Sequence, residues 1–204
     1  MELNPVQHDA LVELLNIGFG RAGASLSRLT GHRVLLDVPQ VSIHPVDRLH
    51  QSLRLVSENQ VASVHQVFSG PVAGDALLLL DPVAACALKE LLTSEPALPL
   101  ALDASTREVL TEVGNIVLNA CLGTFGNLLH VPIGFSVPDI TVDTIKTVVD
   151  SLTAQEEGFR YALVVTAGFR LRDAEVTGYV VVVLTVHSLN RLLKAVEEWE
   201  RRQT

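Results

Sequence analysis

The sequence predicts an α+β protein made of two helix-strand-strand-strand-helix halves, related by a pseudo-two-fold axis, with long helices packed on an antiparallel sheet. Three observations lead there. The chain repeats itself, each copy opens on a long helical pattern, and short connections join the apolar runs that follow. The segment DALVELLNIG at 9–18 aligns with EVLTEVGNIV at 108–117, a constant offset of 99 residues. At that offset Glu13 falls on Glu112, Asn16 on Asn115 and, without a gap, Pro39 on Pro138. One Glu, one Asn and one Pro would match by chance with a probability of roughly 10⁻⁴ at ordinary residue frequencies. Further on, GDALLLL from Gly74 matches GYVVVVL from Gly178 at an offset of 104, so the second copy has gained residues, expected in the loop around 153–158.

Taken in order, the first copy opens with a helix over 9–29, followed by strands over 32–43, 60–69 and 74–80. Asp81-Pro82 then starts a second helix, with Asp as N-cap and Pro in the first turn. The prolines at 96 and 99 interrupt the chain, and the boundary between halves is drawn there, giving 1–98 and 99–204 within one compact unit. The second copy supplies a helix over 102–129, strands over 132–142, 160–171 and 175–186, and an amphipathic helix running to Arg201. Short links between successive strands favour antiparallel pairing, with the helices on one face of the sheet.

Composition narrows the function. With 204 residues, 48% of them hydrophobic, the chain can bury a core without disulfide staples. Its formal charge of −8 carries no basic stripe, which argues against nucleic acid and anionic lipid as partners. Cys86 and Cys121 are far apart in apolar helical stretches and read as buried small hydrophobes. No basic segment followed by an apolar stretch opens the chain, and its apolar runs are short for a bilayer span, so a cytoplasmic protein is expected.

At 100° per residue, Asp9, Glu13, Asn16 and Gly20 fall within about 60° of one another on the first long helix. Leu11, Leu14, Leu15, Gly18, Ala22 and Leu29 occupy the opposite arc, expected to pack on the sheet. The second long helix shows the same stripe as Glu108, Glu112, Asn115 and Asn119, opposite Val109, Leu110, Val113, Val117, Cys121 and Leu128. A Glu on a solvated helix face is ordinary. Asn in mid-helix is not, because its side chain competes with the backbone for hydrogen bonds, and both copies place one at the same position.

Each half therefore reads acidic-x3-Glu-x2-Asn-x22-Pro, with Asp9, Glu13, Asn16 and Pro39 in the first and Glu108, Glu112, Asn115 and Pro138 in the second. This pattern resembles the motif of the CheC-type chemotaxis phosphatases, which include CheX proteins and flagellar-switch relatives. Its coverage of the whole chain is most like a stand-alone, two-site CheC. The resemblance implies hydrolysis of the phosphoaspartate on a CheY-type response regulator. It implies catalytic roles for Asn16 and Asn115, whose carboxamides would orient the attacking water, and for Glu13 and Glu112, which would contact a basic group of the partner. An acyl phosphate is already activated, so such an enzyme needs no nucleophile of its own. Nor does it need a cofactor of its own, since Mg²⁺ would be held by the phosphorylated regulator. Asp9, Gly20, Glu108 and Asn119 would contact the partner, Gly20 by letting its backbone approach closely. CheD, a receptor deamidase, is a further candidate partner by resemblance.

The copies are not identical. Glu108 stands where the resembled motif commonly has Asp or Ser, and Arg21 stands where relatives often have Asn. Competing patterns carry less. Residues 18–23, GFGRAG, match a dinucleotide fingerprint but sit inside a helical pattern rather than between strand and helix. The seven histidines lack metal-ligand spacing, so no metal site is expected, and Ser25 and Ser27 lack the surroundings of a nucleophilic serine. The rival to an enzyme is a non-catalytic adaptor of the same fold, binding a response regulator or CheD through the same stripes. A small-molecule binding domain would need a closed apolar pocket with convergent polar groups. Because a duplicated chain already contains what a two-fold dimer supplies, a monomer is expected.

Overall fold

A computed structural model describes residues 3–49, 53, 60–94, 103–128, 130–154, 160–171 and 174–203. Helix α1 (Pro5–Thr30) begins earlier than the periodicity suggested, because Asn4 caps it. The Asn4 side chain accepts from the Gln7 backbone N–H at 2.8 Å, and the Gln7 side chain accepts from the Asn4 N–H at 3.1 Å, closing a capping box. Gly31, at φ +70°, ends the helix with its N–H on the Ser27 carbonyl. Strand β1 (Val34–Pro45) and a single 3₁₀ turn (Val46–Arg48) follow, then β2 (Gln60–Ser69), β3 (Gly74–Leu80) and α2 (Pro82–Thr93). Asp81 caps α2 by accepting from the Ala84 N–H at 2.7 Å. Helix α3 (Ala104–Leu128) is capped by Asp103, whose carboxyl is held below its ordinary range mainly by the Thr106 N–H at 2.7 Å. The chain continues through β4 (Gly134–Phe135), β5 (Asp139–Thr144), α4 (Ile145–Ala154), β6 (Arg160–Leu171), β7 (Ala174–Thr185) and α5 (Val186–Gln203).

All pairings are antiparallel, in the order β1-β6-β7-β3-β2-β4, with β5 also on β2. The order differs from simple neighbour-to-neighbour pairing. The β2–β3 and β6–β7 hairpins form the centre, while β1 crosses to β6 and β5 crosses to β2. Each half thus lends its first strand to the other half's hairpin. Exchanging the halves leaves the order unchanged, as a pseudo-two-fold axis between β3 and β7 requires. The boundary expected after Leu98 lies outside the described residues, as do 155–158 of the loop expected to hold the extra residues.

The matched prolines disturb the ladder in both copies, because proline has no N–H to donate. In β1 the register slips between Asp37 and Gln40, across Pro39. In the second copy the strand expected over 132–142 is broken into β4 and β5 just before and at Pro138.

Helices cover both faces of the sheet rather than one. Helices α1, α2, α3 and α5 bury Ala76, Leu78, Leu80, Val180, Val182 and Leu184 on one face. Helix α4 and the 3₁₀ turn bury Leu77, Leu79, Tyr179, Val181 and Val183 on the other. The unbroken runs LLLL and YVVVVL reflect this arrangement, since strands buried on both sides lose hydrophobic alternation. Helix α4 was absent from the expected elements, although Ile145, Val148, Val149 and Leu152 recur at helical spacing and are buried. One described stretch, Ala104–Asn127 of α3, is as long and apolar as a membrane span, but half of it is buried within the fold.

Candidate functional site

The stripe on α1 lies where the helical projection placed it. Asp9, Glu13, Asn16 and Gly20 are all exposed, while Leu11, Leu14, Leu15, Gly18 and Ala22 are buried against the sheet and α3. Leu29 departs from that expectation at 60% exposure. His8 Nδ1 lies 3.1 Å from Asp9 Oδ1. Among the described residues, Glu13 and Asn16 make no hydrogen bond or ion pair, so the side chains of both are free for a partner. A Cβ added at Gly20 would meet none of the described residues within 4 Å, which leaves an open notch one turn beyond Asn16.

The stripe on α3 is built from the same residue types but is more enclosed. Glu108 and Glu112 are exposed, whereas Asn115 and Asn119 are half-buried. Asn119 Nδ2 donates to Asn115 Oδ1 at 2.7 Å, the contact expected of residues four apart on a helix. Asn119 Oδ1 is itself buried and meets no hydrogen-bond partner among the described residues. Behind the stripe, Leu110, Val113, Val117 and Cys121 are buried as expected, and Val109 is half-buried. The side chain of Leu128 lies outside the described set. At Gly114 a Cβ would come 2.5 Å from Val64 Cγ1, so only glycine lets α3 seat this closely on β2.

The two long helices pack on each other. A Cβ at Gly18 would approach the Cys121 Cα to 3.0 Å, marking a close backbone crossing. Arg21 Nη1 donates across it to Thr124 Oγ1 at 3.3 Å, and this link was not legible in the sequence. GFGRAG therefore lies within α1 at the helix crossing rather than between a strand and a helix, where phosphates would be cradled.

Each site thus presents carboxylates and a carboxamide on a rigid helix. The carboxylates can hold a cation, and the carboxamide can both donate and accept hydrogen bonds. No cysteine nucleophile is on offer, as Cys86 and Cys121 are buried and burial pushes both thiols up, Cys121 well up. On the far face, an open cleft of mixed character runs between β2, β5 and α4, where Ser63, His65, Asp139 and Asp143 meet Leu77 and Leu152. It contains none of the eight stripe residues.

No model of a known protein family matches this sequence. Solved structures do. The chain is similar to FliY of Thermotoga maritima, at 19% identity and a TM-score of 0.75, with 100% of both chains covered. It is similar to the FliM middle domain of H. pylori at 10% identity and a TM-score of 0.64, covering 95% of this chain and 99% of that one. A chemotaxis protein CheX from Desulfovibrio desulfuricans aligns at 11% identity and a TM-score of 0.50, covering 84% of this chain and 99% of CheX. At these identities the likeness is one of fold, and the fold is that of the FliY, FliM and CheX structures.

Proposed function

We propose, from a chain that carries the fold of FliY and CheX, that this protein is a phosphatase for the phosphoaspartate of a CheY-type response regulator. The observation that supports this best is the pair of exposed Glu-x2-Asn stripes on the two long helices, with Glu13, Asn16 and Glu112 on the surface and Asn115 at its margin. In the proposed reaction a water attacks phosphorus in line with the regulator's carboxylate. The P–O bond to that carboxylate breaks, releasing inorganic phosphate and the free aspartate. Asn16 or Asn115 accepts a hydrogen bond from the water and fixes its direction, which lowers the barrier by orientation rather than by new covalent chemistry. Glu13 or Glu112, one turn away, holds a cationic group of the regulator and sets the docking register. Asp9 and Glu108 line the same contact, while Gly20 and Asn119 stand one turn beyond the two asparagines. Mg²⁺ belongs to the regulator, and the phosphatase contributes no cofactor.

The enzyme is proposed to act as a monomer in the cytoplasm, where its substrate signals, with CheD as a candidate second partner. Separating the two roles tests the assignment. In Asn16→Ala/Asn115→Ala, binding to the phosphorylated regulator is expected to persist while acceleration of its decay is lost. In Glu13→Gln/Glu112→Gln, binding is expected to weaken by about tenfold. If the double Asn variant still accelerates decay like wild type, the assignment of the water-positioning groups fails.

A further inference from the structure

Asn16 and Asn115 occupy matching places on α1 and α3 but meet different neighbours one turn further on. Beside Asn16 stands Gly20, over open space. Beside Asn115 stands Asn119, whose Nδ2 donates to the Asn115 Oδ1 at 2.7 Å. Keeping that bond leaves the Asn119 Oδ1 buried without a partner among the described residues, an unfavourable arrangement for a carbonyl. Turning the Asn119 amide over would bury two unpaired N–H groups instead and set two oxygens against each other, unless Asn115 turned with it. Either way, the two carboxamides are coupled.

We propose that Asn119 is a positioning residue that clamps the Asn115 carboxamide, so that the α3 site is pre-organised and the α1 site is not. The clamp uses one lone pair of the Asn115 oxygen and leaves the other lone pair and the amide hydrogens for the water and the partner. It spares the site the loss of side-chain freedom that Asn16 must undergo on docking. This inference rests on the phosphatase reading for its consequence, though not for its physical content.

The test uses full-length chains with one site disabled. In an Asn16→Ala background, where only the α3 site works, Asn119→Ala and the isosteric Asn119→Asp, which cannot donate, are each expected to lower kcat by about tenfold. KM is expected to stay within about twofold, because the clamp acts on orientation and not on docking area. Asn119→Gln, which keeps a donor, is expected to recover part of the loss. In an Asn115→Ala background, Gly20→Asn installs the missing clamp, and the open space there accepts it. It is expected to raise kcat of the α1 site several-fold. If Asn119→Ala and Asn119→Asp leave kcat unchanged, or shift only KM, Asn119 is a docking residue and the proposal is overturned. Side-chain amide ¹⁵N relaxation reads the clamp without any turnover. Asn115 is expected to be ordered in the wild type and mobile in Asn119→Ala, with Asn16 mobile in both. Equal mobility of Asn115 in both proteins overturns the clamp, whereas an ordered Asn115 in an inactive wild type overturns only the phosphatase reading.

Discussion

Gly20 and Gly114 lie on two matching helices, yet a methyl group would meet open space at the first and Val64 at the second. Gly20→Ala is therefore expected to raise stability by up to about 1 kcal/mol, since alanine is the better helix former. Gly114→Ala is expected to lower it by about 1–3 kcal/mol, through overpacking against β2. Urea denaturation of both variants checks the pair, and equal effects would contradict the packing described. The exposure of Gly20 was legible in the sequence because it follows from helical geometry alone. The need for glycine at 114 was not, because it depends on Val64, a residue distant in sequence. The same division runs through the site. The positions of Asp9, Glu13 and Asn16 followed from a 100° step, as did the register of Glu112 with Asn115. The partial burial of Asn115 and its bond to Asn119 depend on how closely α3 seats on the sheet.

At the scale of elements, the strand positions were legible wherever turn residues bracket an apolar run, as at 60–69 and 74–80. Helix starts were harder to place. The Asn4-Pro5 cap moved the start of α1, and helix α4 was hidden behind the β-branched residues that follow β5. Its apolar spacing carried the signal, but a short helix beside a strand competes with a continuation of that strand. The cysteines supply an element-level check. Cys86 on α2 and Cys121 on α3 are at most 4% exposed, and burial raises both thiols. Neither is expected to react with a thiol reagent in the folded protein, and both should react in denaturant. Rapid modification of Cys121 without denaturant would contradict its place at the helix crossing.

Over the whole molecule, the crossed pairing of β1 with β6 and of β5 with β2 means that neither half completes its own sheet. The helices add to this through the close approach of Gly18 to Cys121. A single cooperative unfolding transition is therefore expected, with coincident curves from far-ultraviolet dichroism and from the fluorescence of Trp199. Two separated transitions would show that the halves fold independently. The repeat in the sequence pointed to two related halves, but it did not reveal that their first strands are exchanged, because strand order depends on contacts distant along the chain. With the strands exchanged and α1 packed on α3, both Glu-x2-Asn stripes stand on one folded unit. The most direct measurement of what those stripes do is phosphate release from a phosphorylated CheY-type regulator held in large excess over this protein. Many phosphates released per protein molecule, lost in Asn16→Ala/Asn115→Ala with the fold intact, is the expected result. Tight binding that leaves the regulator's own decay rate unchanged would contradict the phosphatase reading and make the protein an adaptor.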